Sequence, residues 1–294
     1  MDGLRFSLRS VWGRFDGSHD SDVPRKNRHI VTVDWFRVEF HAAYAFDAHW
    51  EIETVTPFDI KRQRARYELP DGSSFDNPEG DIHRRDETGY GLGDFQQWGR
   101  WTSYGVLHDS VSVTLGLGFT VPVGRTEGDP YEAGDQGEKH QHIQFGTGTV
   151  DPLASVALRI DHAWWGITAS VGGTWPLYKN SHGYRGAPSG EAALNFRTQI
   201  TPWLGAYTGL FGIAQGRAYW DSEVDPNTGY TSAGVRFGVN LIPTGEFWIS
   251  PSASYIFDNR TPYGSETFRS EWIVSLTLSF RFGGKSPSNA IVGS

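Results

Sequence analysis

Apolar and polar residues alternate with a period of two down almost the whole chain, and this limits the fold more than any other feature. The clearest instance is 272–282. There Trp272, Val274, Leu276, Leu278, Phe280 and Phe282 fall on one face, and Ile273, Ser275, Thr277, Ser279 and Arg281 on the other. Only a strand sends successive side chains to opposite faces in this way. The segment 110–123 repeats the pattern, with Val111, Val113, Leu115, Leu117 and Phe119 opposite Ser112, Thr114, Gly116 and Gly118. Helical periodicity is scarce. The alternation predicts twelve strands, at about 4–14, 29–46, 50–67, 94–106, 110–124, 151–161, 164–178, 191–201, 203–214, 231–242, 246–256 and 270–282.

The connections between these segments alternate between short and long. Short ones lie at Asp47-Ala48-His49, Leu107-His108-Asp109, Asp161-His162-Ala163, Thr201-Pro202 and Pro243-Thr244-Gly245. Long ones, polar and rich in Gly, Pro, Asp and Asn, lie at 15–28, 68–93, 125–150, 179–190, 215–230 and 257–269. An even number of antiparallel strands, with tight turns at one end and long polar loops at the other, is the pattern of a bacterial outer-membrane barrel.

Composition agrees. Hydrophobic residues make up 38% and mean hydropathy is -0.44, yet aromatics reach 14%. No stretch is long and apolar enough for a membrane-spanning helix. The chain has no Cys, which excludes disulfides, thiolate metal sites and cysteine nucleophiles. A formal charge of -8 argues against nucleic acid as a partner. The opening Met1–Arg5 carries no apolar signal-type run, so an export signal is expected to be absent or removed. The expected fold is all-β: a 12-stranded antiparallel transmembrane β-barrel over 1–282, with short periplasmic turns and long extracellular loops. A flexible periplasmic tail is expected at 283–294. A soluble barrel or sandwich would also alternate, but has no reason to order its loop lengths.

Aromatic residues fall at strand ends, as the two interfacial girdles of a membrane barrel require. Trp50, Trp164, Trp165, Trp203 and Trp248 follow short turns, and Phe280 and Phe282 end the last strand at that level. Trp12, Trp35, Trp175 and Trp272 lie toward the other end. The polar alternates should then line the lumen: Arg5, Arg9, Arg37, Glu39, His41, Glu51, Glu53, Arg159, Arg197, Arg236, Glu271 and Arg281. Arginines in surplus would favour anion passage; arginines all matched by carboxylates would close the lumen.

Sites for chemistry are sparse. His140 and His142 form an H-x-H pair near Glu132, Asp135 and Glu138, a weak candidate for a surface metal. His83, Arg84 and Arg85 stand among the acidic residues of 68–93 without calcium-loop spacing. A lipid-modifying hydrolase would need Ser beside His on the lipid-facing surface; His29, with Val31 and Val33, falls on the apolar face, but no Ser partners it. The run Gly89–Asp94 resembles a phosphate loop only superficially, since no helix follows. Its glycines suit tight re-entry into a wall.

Three segments carry a family resemblance. Gly91-Leu92-Gly93-Asp94 opens one strand, Val121-Pro122-Val123-Gly124-Arg125 closes the next, and Phe145-Gly146-Thr147-Gly148-Thr149-Val150-Asp151-Pro152 opens a third. In order and spacing they resemble the outer-membrane transporters of the MetA pathway of phenol degradation, barrels distantly grouped with fatty-acid and aromatic-hydrocarbon channels. The likeness covers mainly 44–178, with Val123 where the family usually has Thr. It implies a porin-like barrel; the fatty-acid channels also have an N-terminal plug, which is not expected here because no segment stands before the strand at 4–14 to make one. The expected function is passive diffusion of a small-molecule solute through an Arg- and Glu-lined lumen, with loops 68–93 and 125–150 over the mouth. The expected surroundings are membrane lipid and lipopolysaccharide, with barrel-assembly machinery for insertion; no cofactor is expected. The alternatives are a closed-lumen surface barrel whose acidic and His loops bind a metal or partner, and the lipid-modifying hydrolase.

Overall fold

A computed structural model describes residues 3–21, 25–76, 86–138, 144–221, 223–225, 228–261 and 269–283. In chain order the elements are β1 (Gly3–Ser21), β2 (Asn27–Ala45), β3 (Trp50–Glu68), β4 (Glu87–Leu92), β5 (Phe95–Tyr104), β6 (Val111–Val121), α1 (Pro130–Asp135), β7 (Pro152–Asp161), β8 (Trp165–Thr174), β9 (Tyr184–Arg185), β10 (Ser189–Thr201), β11 (Leu204–Gln215), β12 (Tyr219–Trp220), β13 (Glu223–Val224), β14 (Thr231–Thr244), β15 (Phe247–Arg260) and β16 (Trp272–Phe282). Twelve of these, all but β4, β9, β12 and β13, form a closed antiparallel barrel. The seam is β1 against β16, in register from Leu4↔Phe282 to Gly13↔Ile273. Each expected strand is present. β4 extends β5 along the same edge of β3, pairing Phe58↔Leu92 where β5 pairs Val55↔Gln96.

The first hairpin is longer than the alternation suggests. β1 and β2 stay paired out to Ser21↔Asn27, so most of the expected loop 15–28 is strand. On this extension Asn27, His29 and Val31 are buried on the inner side, while Arg14 and Asp34 form a 2.8 Å ion pair on the outer side. The polar-out pattern there is that of a strand standing in water above the membrane.

Between the barrel ends the outward face is apolar: Leu117 is 72% exposed, and Leu115, Leu158, Leu210, Phe237 and Leu276 are exposed beside it around the wall. Trp50, Trp164, Trp203 and Phe282 project at the short-turn end, and Trp12, Trp175 and Trp272 toward the other. Trp165 stacks on the outward Phe196 at 6.3 Å, and Phe280 packs on Phe282 at 4.4 Å. Two expected girdle residues face inward instead. Trp35 donates its indole N–H to Asp59 at 2.6 Å. Trp248 is buried, 5.4 Å beneath the Arg281 guanidinium. Each sits on the parity of its strand's lumen residues, and a tryptophan serves there when its ring can pack under an arginine.

The three motifs behind the family resemblance meet in one latch at the outer end of the wall. Asp94 accepts from the Gly124 amide at 2.9 Å, the Thr147 amide at 2.6 Å and the Thr147 hydroxyl at 2.8 Å. Asp151 accepts from the Thr149 hydroxyl at 2.6 Å and shares the single Thr147 hydroxyl proton with Asp94, at 2.9 Å, and its own amide donates to the Thr120 hydroxyl at 2.8 Å. Burial raises the Asp151 pKa, the two threonine hydroxyls oppose that rise, and the Asp94 charge adds to it. Gly124 and Gly146 let the loops close: a Cβ on either would lie 2.8 Å from the other glycine's Cα and nearer still to Asp94. Gly93 likewise has room only for hydrogen, since a Cβ there would stand 2.9 Å from the Pro57 ring.

Two outcomes test this architecture. Leu117→Arg, in the middle of the apolar band, should destabilise the barrel by about 2–4 kcal/mol in urea unfolding from lipid vesicles. Asp94→Ala takes the acceptor from two part-buried donors, the Gly124 and Thr147 amides, each at a cost of up to roughly 1–3 kcal/mol, while the Thr147 hydroxyl keeps Asp151. It should speed proteolysis within 125–150 while the barrel keeps its folded migration on unheated gels.

Candidate functional site

The lumen divides into an outer chamber and a nearly filled inner half. The chamber has a volume of about 780 Å³. Its walls carry an apolar band of Val11 and Phe15 from β1, Val31, Val33 and Trp35 from β2, Phe211 and Ile213 from β11, Ile256 from β15 and Ile273 from β16, interrupted by Gln63, Glu87, Glu191, Gln215 and Asn259. Its floor is charged, with Arg9, Arg37, Glu39 and Arg236 beside Ser254 and Ser275. Beneath it lies a cavity of about 50 Å³ that shares Arg9, Arg236 and Ser275 and is otherwise lined by polar groups such as Asn195, Tyr207, Asn240 and Thr277. The floor of one space is therefore the ceiling of the other.

Among the described residues the roof draws on further loops besides those expected. β12 pairs with β9 and β13 in a small sheet, and Tyr184, Ala218 and Trp220 form its buried core, with Tyr184 and Trp220 rings 4.7 Å apart. Tyr131 of α1 packs against that core. Tyr184, Asp225, Thr228 and Tyr230 face the chamber, so segments 176–188 and 216–230 supply most of the cover. Loop 125–150 adds α1 and Gln144, whose carbonyl accepts from Lys61 at 2.8 Å. Loop 68–93 contributes to the wall, through Glu87 and Gly89 of β4. The roof is built by sheet pairing and a tryptophan core, which the polar composition of those loops hides.

Charges are matched on one side of the lumen. Arg37 forms a two-pronged pair with the fully buried Asp59, at 2.9 and 2.8 Å. Arg9 meets Glu39 at 3.1 Å, and Arg5 meets Glu51 at 3.3 Å. His41 bridges Glu53 at 3.1 Å and Glu39 at 3.6 Å, and Arg100 completes the group on Glu53. These pairs satisfy one another across β1, β2, β3 and β5. A second group joins Asp161 to Arg159 at 2.7 Å and to Arg197. Arg197 reaches Asp161 across β8, over Gly166, where a Cβ would come within 2.6 Å of the Arg197 Nε.

Two inward arginines have no carboxylate partner among the described residues. Arg236 donates through Nε to Ser254 at 3.3 Å and lies 5.3 Å over the Phe211 ring. Arg281 lies over Trp248 near the short-turn end. Glu271 takes no part: it is an exposed bend residue just before β16 and lines neither cavity. Arg100, Asp59, Lys61 and Asp161 are lumen charges that the alternation does not single out. Arg100 sits in a stretch of weak alternation, Gln96-Gln97-Trp98-Gly99-Arg100, and only its register opposite Glu51 marks it as inward.

Other candidates fall away from the lumen or face a different side. His29 points inward, buried, with its ring edge-on to Tyr67 at 4.4 Å, so the lipid-facing position needed by a hydrolase is not where it lies. His140, His142 and His83–Arg85 lie outside the described residues. Among the described residues no group of three His, Asp or Glu side chains is arranged to hold a metal.

No family model matches the chain, and no curated protein matches it. Solved structures do. An outer-membrane channel from Pseudomonas putida F1 superposes over 95% of this chain and 95% of its own, with TM-score 0.65 and 12% identity. The toluene transporter TodX of P. putida aligns over 96% of this chain and 91% of its own, with TM-score 0.45 and 9% identity. The transport unit of the Escherichia coli autotransporter AIDA-I covers 95% and 90%, with TM-score 0.47 and 8% identity. The last two superpose too loosely to bear on function. The first establishes that this chain has the fold of a closed outer-membrane-type β-barrel.

Proposed function

We propose that the protein is a channel of the bacterial outer membrane that passes a small solute by diffusion, without chemistry of its own. The observation that carries this is a pair of stacked lumen spaces, of about 780 and 50 Å³, that share a floor formed by Arg9, Arg236 and Ser275. A barrel that served only as a scaffold would gain nothing from a roofed chamber with an apolar band in its walls and a charged floor. The Pseudomonas putida channel of similar fold adds support. In this setting the apolar band meets lipid and the polar hairpin above it meets lipopolysaccharide, after insertion by the barrel-assembly machinery.

The inner half shapes the expected behaviour. Side chains from opposite walls nearly fill it, so passage depends on side-chain movement at the floor and not on a standing water column. The matched pairs of β1, β2, β3 and β5 hold one side fixed, since separating a buried pair leaves a charge stranded at a cost of several kcal/mol. Movement is then concentrated at the unpaired arginines.

The refolded barrel in planar bilayers should give steady, anion-selective single-channel currents far smaller than those of a sixteen-stranded porin. Arg197→Glu should reduce that selectivity. A verified, inserted barrel that passes no current in a salt gradient would overturn the proposal.

A further inference from the structure

The chamber floor and walls together define a ligand chemistry. We infer that the outer chamber holds a binding site for an amphipathic organic anion, with its acidic group on Arg236 and a ring-sized apolar body against the wall above. This rests on the channel reading and deepens it by naming the class of solute.

Arg236 is the floor charge that the barrel leaves unsatisfied. Of the cations around the chamber, Arg9 is held by Glu39, and Arg37 by Asp59. Lys61 is taken up by the Gln144 carbonyl and lies 5.0 Å from the Phe145 ring. Arg236 spends only its Nε, on Ser254, and neither terminal nitrogen has a partner among the described residues. A guanidinium anchored at Nε on the boundary of two cavities, with both terminal nitrogens unspent, is prepared for a carboxylate, sulfonate or phosphate. Phe211, paired with Gly234 and so two positions nearer the roof, packs against the guanidinium and restricts its rotamers, which lowers the ordering cost of binding.

The walls set the rest of the ligand. Phe15 and Trp35 meet edge-to-face at 6.0 Å on one side of the chamber, and Ile213 and Ile256 line the other. Such surfaces favour an aromatic or branched apolar body. Three acidic residues of the wall and roof, Glu87, Glu191 and Asp225, must be weighed against this. Glu191 pairs in register with Ile213, which itself pairs with Ser232, four positions nearer the roof than Arg236. Glu191 therefore lies above the floor and disfavours a second negative charge at the upper end, so a monoanion fits better than a dianion.

The test uses three probes of one shape on the full barrel in lipid nanodiscs, followed by fluorine NMR: 4-(trifluoromethyl)benzoate, the matching benzyl alcohol and the matching benzylamine. The benzoate should bind about tenfold tighter than the alcohol, the range expected of charge-assisted hydrogen bonds. Arg236→Gln should bring benzoate down to the alcohol's affinity without changing the alcohol. Arg281→Gln, which removes the other unpaired arginine, should change neither. Equal affinity for benzoate and alcohol in the unmodified barrel, preference for the amine, or benzoate preference persisting in Arg236→Gln would each overturn the site. The unmodified protein alone decides the first two, so the site stays falsifiable if the variant fails to fold. Binding is read without current. A barrel that binds benzoate but conducts nothing would refute the channel and keep the site, and one that conducts but ignores probe charge would do the reverse.

Discussion

Lipid offers no hydrogen bonds, so a chain that crosses it with strands must pair every backbone group within the wall. Here that demand is met at the seam, where β1 and β16 run antiparallel from Leu4↔Phe282 to Gly13↔Ile273. Closure fixes everything else. It forces each strand to present one face to lipid and one to the lumen, and it places residues far apart in sequence side by side. Arg5 and Arg281 are register partners for this reason alone. A chain with 38% hydrophobic residues can then cover itself in lipid, because only one face of each strand need be apolar.

What the seam does for the wall, the latch does for the mouth. Asp94 lies between β4 and β5, and its carboxylate oxygens hold the two ends of the β6–β7 loop through Gly124 and Thr147. The motif residues that support the family resemblance thus explain themselves without contact to any solute. Their glycines are small because a carboxylate stands where a side chain would be, and their threonines donate to carboxylates that burial would otherwise leave unsatisfied. A motif of this kind identifies a fold and says little about cargo.

Much of this is legible in the sequence, because a period of two needs no tertiary information. All twelve strands, the short turns and most of the two aromatic girdles follow from counting along the chain. Where the alternation misleads, it does so for a physical reason. On β2 the inward set changes character along its length, from His41, Glu39 and Arg37 to Trp35, Val33 and Val31. Above the membrane the outward side becomes polar and the chamber side apolar, so the rule that apolar means lipid reverses within one strand. That reversal sends Trp35 and His29 to the lumen side although their neighbours in sequence suggest lipid. Arg100, Asp59 and Asp161 are hidden differently: their roles depend on partners on other strands, as with Arg197 reaching Asp161 over Gly166. No local pattern encodes a reach of that kind.

The distribution of charge around the lumen gives the barrel a direction across its width. On the side of β1, β2, β3 and β5, each inward cation near the floor meets a carboxylate, and the network is braced by Asp59, which is wholly buried and receives three donors. Such a network resists rearrangement, because losing any member strands another in a low dielectric. On the side of β14, β15 and β16, the inward residues include Ser232, Ser252, Ser254, Ser275, Ser279 and Asn240, small groups whose hydrogen bonds are exchanged at little cost. Arg236 stands on that softer side, facing the fixed one. If the floor opens, it opens there, with serines re-forming their hydrogen bonds around a displaced guanidinium while the paired wall keeps its shape. Rigidity and mobility are thus assigned to opposite walls by one sequence choice, the confinement of inward carboxylates near the floor to the early strands and to Asp161.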